Sequence, residues 1–242
     1  MDIRAARPED RDAVREITKR SLETSYSLSP ATIEGAVEEW YGEDAFEEKV
    51  ESDNTVFLVS EVDEVVGFSE GVLVAEGGQA DILWLHVHPD HRGQGIGEEL
   101  YEHLAGRLEE MGTEYLRGRV LADNQMGATF YEDRGFEQVD EERIEIDDDR
   151  HVEYIYSNAV SRQLRSLVTD DGRVVYVDRT DEEVGSDAPF NVVLEDPEGE
   201  THYGYFCTNC DELANAMSAN GRIKCAECGN TRKPTRWDAS YL

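Results

Sequence analysis

The sequence predicts a mixed domain, α+β or α/β, with a largely antiparallel sheet flanked by helices over residues 1–157, then a smaller β-rich domain over 166–242. Three observations predict it. Apolar residues repeat at helical spacing, then at the two-residue period of strands, then at helical spacing again. A polar segment, 158–165, reads as a linker between this alternation and a stretch of short strands and turns. All four cysteines lie beyond that segment.

The elements follow in order. Ile3 to Ala6 read as a short strand. A helix opens on Pro8-Glu9-Asp10 and carries Val14, Ile17 and Leu22 on one face. Further helices are predicted from Pro30 to Tyr41 and from Asp44 to Glu51. The period then changes, and Thr55–Glu61 and Glu64–Ala75 read as strands joined by a tight acidic turn. The strand Ala80–His88 stops at Pro89, and Ile96, Leu100, Leu104 and Leu108 mark a long amphipathic helix. A strand at Tyr115–Leu121, a helix at Gln125–Arg134 and strands at Phe136–Ile146 and Val152–Tyr156 close the first domain. Beyond the linker, Val174–Val177 follows an Asp171-Gly172 hairpin signal. Asn191–Leu194 and His202–Phe206 flank a turn at Pro197 and Gly199.

Charge narrows the function classes. With 55 Asp and Glu against 23 Lys and Arg, the formal net charge is −32, and only four of the basic residues are lysines. Such charge repels itself at low salt, and 1 M salt screens it within about 3 Å. The composition therefore predicts a salt-rich cytoplasm, as in halophilic archaea. No basic stripe is available to release phosphate counterions, so nucleic acid is an unfavourable partner. No run of about 18 apolar residues predicts a membrane helix. Met1-Asp2-Ile3-Arg4 leads into charged sequence without a secretory signal, so the expectation is a soluble cytoplasmic protein.

The segment from Trp84 to Gly97 carries the chemistry of the first domain. A strand stops at Pro89, and a loop with Gly93, Gly95 and Gly97 opens a helix. Glycine permits close backbone approach, and a helix start offers unpaired N–H groups and a positive dipole end. Together they form an anion cradle suited to a pyrophosphate. No Gly-Lys-Ser/Thr follows, so this is not a P-loop.

Arg92-Gly93-Gln94-Gly95-Ile96-Gly97 resembles the Arg/Gln-x-x-Gly-x-Gly/Ala motif of the GNAT family of acetyl-CoA-dependent N-acetyltransferases. Asn124, Ala128, Phe130-Tyr131-Glu132 and Gly135-Phe136 are similar to that family's second motif. The resemblance spans residues 1 to 157 and implies the GNAT fold and its roles. Backbone groups of Leu85 and Val87 would hold the pantetheine arm, and Arg92 to Gly97 would take the pyrophosphate. Asn124 would hydrogen-bond the cofactor, and the Tyr131 phenol would protonate the departing thiolate. Read alone, Asn124 also suits a helix N-cap and Tyr131 a core aromatic. Relatives that acetylate protein N-termini commonly carry a Glu on the strand before the Asn, where this chain has Arg119.

Acetyl transfer needs a neutral amine, and Glu70, Asp81 and His86 are the candidate bases. The reaction implied is direct attack of a primary amine on the thioester, with the oxyanion stabilised near the Val87 N–H. The acceptor would be a small-molecule amine or a protein or peptide amine. The alternative is a non-catalytic acyl-CoA sensor acting through the second domain.

Cys207-x-x-Cys210 and Cys225-x-x-Cys228, fourteen residues apart, form a structural zinc signal. This tail is similar to a zinc ribbon and to a C-terminal module of haloarchaeal acetyltransferases. That likeness implies no activity, and the charge favours protein contact or scaffolding over nucleic acid.

Overall fold

The computed structural model describes residues 1–26, 28–74, 78–146, 149–159, 163–169, 171–197, 201–214, 216–217 and 223–232, with backbone alone at 145–146, 149 and 216–217. Two compact units emerge. One comprises Met1–Leu73 and Ala80–Asn158, the other Val74–Gln79 and the described residues from Ala159 to Arg232.

The first unit is built on a seven-stranded sheet. Its strands are β1 (Asp2–Ala5), β2 (Thr55–Val62), β3 (Glu64–Leu73), β4 (Gln79–Val87), β5 (Tyr115–Leu121), β6 (Glu137–Ile146) and β7 (Asp149–Ser157). The spatial order is β1-β2-β3-β4-β5-β7-β6. The β1–β2, β2–β3, β3–β4, β5–β7 and β6–β7 pairs are antiparallel. Alternation along β2 sends Phe57 and Val59 to one core and Val56 and Leu58 to the other. The first core is closed by α1 (Arg11–Ser25), α2 (Pro30–Tyr41) and α3 (Glu43–Glu51) through Val14, Ile17, Trp40, Tyr41 and Phe46. The second is closed by α4 (Ile96–Glu110) and α5 (Gln125–Glu132). Leu100, Leu104 and Leu108 are fully buried there, each contributing about 1.5–3 kcal/mol.

In this unit the differences from the sequence expectation sit at element ends. Pro8–Asp10 forms a 3₁₀ turn before α1, where Asp10 accepts from Arg4 at 2.7 and 2.9 Å and from the Arg7 amide at 2.8 Å. Helix α5 stops at Glu132 because Gly135, at φ +78°, reverses the chain. Ala75 lies outside the described residues, and β3 ends at Leu73.

The second unit contains a five-stranded antiparallel sheet ordered β12-β11-β10-β9-β8. Its strands are β8 (Leu164–Val168), β9 (Val174–Glu183), β10 (Phe190–Leu194), β11 (His202–Cys207) and β12 (Glu212–Ala214). A separate two-stranded pair joins β13 (Ala216–Met217) and β14 (Ile223–Lys224). Strand β8 begins inside the stretch read as linker, and neither β8 nor β12 was foreseen. Both are short and carry charged or small residues, which masks a two-residue period. Val175, Val177, Val193 and Phe206 form one small core, and Phe190, Cys207, Ala214 and Cys225 another.

Candidate active site

Strand β4 delivers the chain through the Pro89–His91 turn to a loop that opens α4. Gly93 and Gly95 adopt φ +74° and +82°, conformations that disfavour any residue with a Cβ. Gly95 caps α4 without a side-chain hydrogen bond, and a Cβ added at Gly93 or Gly95 would meet nothing within 4 Å. The first-turn amides of α4 thus have no side-chain cap beside an open space, the arrangement an anionic group needs. Arg92 Nε donates to Val87 O at 3.2 Å and Nη2 to Ser21 Oγ at 2.9 Å. Burial pulls its pKa below the usual arginine value.

The loop borders a cavity of about 440 Å³. Leu85, His86, Val87, Arg92, Gly93, Gly95, Ile96, Gly97, Asn124 and Tyr131 all line it. Gln94 does not and is exposed. Several lining residues were not among the expected site residues: Ser21 and Ser25 of α1, its C-cap Tyr26, Trp84, Arg119, Phe130 and Arg134 among them. The polar spacing of Ser21 and Ser25, four residues apart on a helix, was the available signal. Arg134 bonds Phe130 O at 3.0 Å, stacks 3.8 Å above the Phe130 ring and pairs with Glu98 at 3.3 Å. It thereby offsets an acidic charge in the first turn of α4.

Asn124 does cap α5, its Oδ1 accepting from Gly127 N at 3.0 Å, while its Nδ2 donates to Tyr26 Oη at 3.1 Å. Tyr131 is 7% exposed and packs on Phe136 and Tyr156 at 5.1 and 5.7 Å. A Cβ at Gly118 on β5 would lie 2.2 Å from Tyr131 Cζ and 2.4 Å from its Oη. Gly118 is therefore what lets the ring lie against the sheet.

The four cysteines cluster in the second unit, with all Sγ atoms within 4.8 Å of one another. Cys207 and Cys228 are 3.6 Å apart, and Cys210 and Cys225 3.4 Å. These separations exceed an S–S bond of about 2.05 Å and approach the edge, about 3.75 Å, of a tetrahedron with Zn–S bonds of about 2.3 Å. The donor set fits Zn²⁺. Gly229, at φ +84°, turns the second knuckle. The buried Asn230 side chain donates to Cys207 Sγ at 3.4 Å and to Ala188 O at 2.8 Å. Hydrogen bonds from the Asn209 side chain and the Asn230 backbone pull the Cys228 thiol down to about 6.

The model of the acetyltransferase (GNAT) family matches residues 12–136, just over half of the chain. The chain belongs to the GNAT family. A family of unknown function matches residues 171–242. Among solved structures, the PaiA N-acetyltransferase of Thermoplasma acidophilum, in complex with coenzyme A, is 24% identical with a TM-score of 0.55, covering 63% of this chain and 96% of its own. The ribosomal-protein-alanine N-acetyltransferase of Brucella melitensis is 19% identical at a TM-score of 0.54, covering 66% and 100%. The yncA protein of Salmonella typhimurium, solved with its cofactor acetyl-CoA, is 20% identical at 0.51, covering 67% and 95%. These likenesses show the fold.

Within this GNAT domain the three candidate bases part company. Glu70, 1% exposed, accepts from Tyr41 Oη at 2.9 Å and from Lys49 Nζ, and lies outside the cavity lining. Asp81 receives Arg117 bidentately at 3.0 and 3.1 Å and also lies outside it. Both carboxylates are thus engaged by cationic partners at the sheet. Of the expected bases, these two therefore do not border the cavity. His86 alone of the three lines the cavity. Its ring stacks on Trp84 at 5.0 Å, and its Nδ1 lies 2.8 Å from Ser21 Oγ. Arg119 pairs with Glu142 at 2.7 Å and Glu153 at 3.4 Å, partners that a chain so rich in Glu does not reveal in advance.

Proposed function

We propose that the GNAT domain transfers acetyl from acetyl-CoA to a primary amine by direct attack. One observation carries the reading: a single cavity gathers the uncapped start of α4, Asn124, Tyr131 and His86. The cosubstrate supplies an activated acetyl thioester. Arg92 to Gly97 bind its pyrophosphate, and the backbone of Leu85 and Val87 aligns its arm as an added strand would be aligned. Asn124 orients it through whichever polar group its capping role leaves available. His86 takes the proton of the incoming ammonium, and the Val87 N–H stabilises the oxyanion as the C–N bond forms and the C–S bond breaks. Tyr131 gives its proton to the departing thiolate and regains one from the acylated nitrogen or solvent.

The cysteine cluster supports one Zn²⁺ held by Cys207, Cys210, Cys225 and Cys228. Four thiolates close a tetrahedral sphere, which suits a structural role and leaves no position for substrate. The division into a domain ending near 157 and a zinc-holding domain beyond it belongs to the same proposal, with contact to a protein partner as the second domain's further use.

Incubation with labelled acetyl-CoA and a panel of amino acids, polyamines and peptides tests the activity. Labelled product with at least one amine is expected. Saturable acetyl-CoA binding with no transfer to any class would favour the acyl-CoA sensor instead.

A further inference from the structure

Two asparagines beside the cysteine cluster have no role in the reading above, yet each meets both knuckles. Asn209 and Asn230 each stand two residues after a cysteine, in Cys207-Thr208-Asn209 and Cys228-Gly229-Asn230. The Asn209 backbone N–H bonds Cys207, and its side chain bonds Cys228. The Asn230 backbone N–H bonds Cys228, and its side-chain Nδ2 donates to Cys207 Sγ at 3.4 Å. Each asparagine thus gives its main chain to its own knuckle and its side chain to the opposite one. The two sulfurs so shared lie 3.6 Å apart.

Neighbours set the orientation of Asn230, which is fully buried. Its Oδ1 accepts from Asp187 N at 3.0 Å, and its Nδ2 donates to Ala188 O at 2.8 Å. A backbone N–H only donates and a carbonyl only accepts, so a flipped amide would lose both bonds. The group turned to Cys207 is therefore a donor, and an electron-rich thiolate is the sulfur that suits it. The loop that holds Asn230, between β9 and β10, braces both knuckles. Ser186 N donates to Thr231 O at 2.8 Å, and Pro189 O accepts from Thr208 N at 3.2 Å and Thr208 Oγ1 at 2.6 Å. A Cβ at Gly185 would lie 2.0 Å from Ala188 O and 2.8 Å from Asn230 Oδ1. Glycine there is what lets the loop close on Asn230.

We propose that Asn209 and Asn230 form a reciprocal clasp across the zinc site, positioning residues that set how firmly the metal is held. The inference rests on the zinc reading given above. Four thiolates around Zn²⁺ leave the centre with a net charge of about −2, in a chain that already carries −32. N–H donors to sulfur spread that charge, and groups that orient metal ligands change affinity by about 10–100-fold. The clasp also restrains the two knuckles relative to each other, so fewer conformations are lost on binding. The brace loop supplies no ligand, but Asn230 ties it to Cys207, and metal loading should therefore order residues 185–189.

Full-length protein loaded with zinc, or with cobalt as a spectroscopic substitute, tests the clasp in wild type, Asn209→Ala and Asn230→Ala. Asn209 is exposed, and its truncation removes only the bond that crosses to Cys228. Each variant should bind one metal ion but release zinc to a chelator at least about tenfold faster. The thiolate-to-cobalt charge-transfer band should move to lower energy in both, because a sulfur without its donor gives up an electron more readily. General loosening of the fold does not predict that shift. Amides of 185–189 should exchange faster in Asn230→Ala and at the wild-type rate in Asn209→Ala. Zinc release within about twofold of wild type, or an unmoved cobalt band, in Asn209→Ala would overturn the clasp even where Asn230→Ala fails to fold. The same result in a folded Asn230→Ala would do so too. Wild-type protein that takes up neither metal would overturn the zinc reading itself, and the clasp with it.

Discussion

Tyr131 and Gly118 act as a pair, because the ring fills the volume that a side chain at Gly118 would take. Tyr156, opposite Gly118 on β7, stacks on the same ring with only 14° between planes. Gly118→Ala should therefore displace the Tyr131 hydroxyl while leaving the anion cradle untouched. Steady-state kinetics should show kcat falling at least about tenfold, with calorimetric acetyl-CoA affinity changed far less. Tyr131→Phe keeps the packing and removes the proton donor, so kcat should fall by about 10²–10⁴ with little change in binding. Equal turnover by Tyr131→Phe and wild type would reduce Tyr131 to a core aromatic. The motif residues were legible at this scale, but their partners were not. Nothing in the spacing of Glu70 and Asp81 reveals Lys49 and Arg117, which lie 21 and 36 residues away and neutralise them.

Among elements, the start of α4 carries the greatest functional weight. Its glycines were readable because a left-handed φ and an uncapped N-terminus are properties of local chain. Gly95→Val should weaken acetyl-CoA binding for two reasons. A β-branched residue at φ +82° is strained by about 1–2 kcal/mol, and its side chain would enter the space beside the first-turn amides. Unchanged affinity by calorimetry would remove the cradle assignment. Strands and helices with strong periods, such as α4 with its buried leucines, were equally readable. Strand β8 was not, because its exposed edge pairs only with β9 and its burial scarcely alternates.

For the whole molecule, the −32 charge predicts that stability rises with salt. Thermal unfolding midpoints should climb steeply between dilute buffer and molar KCl, and a flat response would leave the protein merely acidic. No helix of the described residues is long and apolar enough to cross a membrane. The cysteine cluster predicts one zinc per chain by elemental analysis. Cys225→Ser should loosen the chain beyond residue 165, read by hydrogen exchange, while acetyl-CoA binding persists. Disulfides in place of metal under reducing conditions would overturn the zinc assignment.

By itself the sequence determined the order of elements in the first unit, the glycine loop that opens α4, the second motif and the four-cysteine set. Each of these is written in residues close along the chain, where period, glycine conformation and ligand spacing act locally. Only the tertiary structure decided which candidate base reaches the cavity, that Ser21 lies between Arg92 and His86, and that Gly118 makes room for Tyr131. Those outcomes depend on which side chains meet across the sheet and on α1, and such meetings of distant segments leave no periodic trace in the chain.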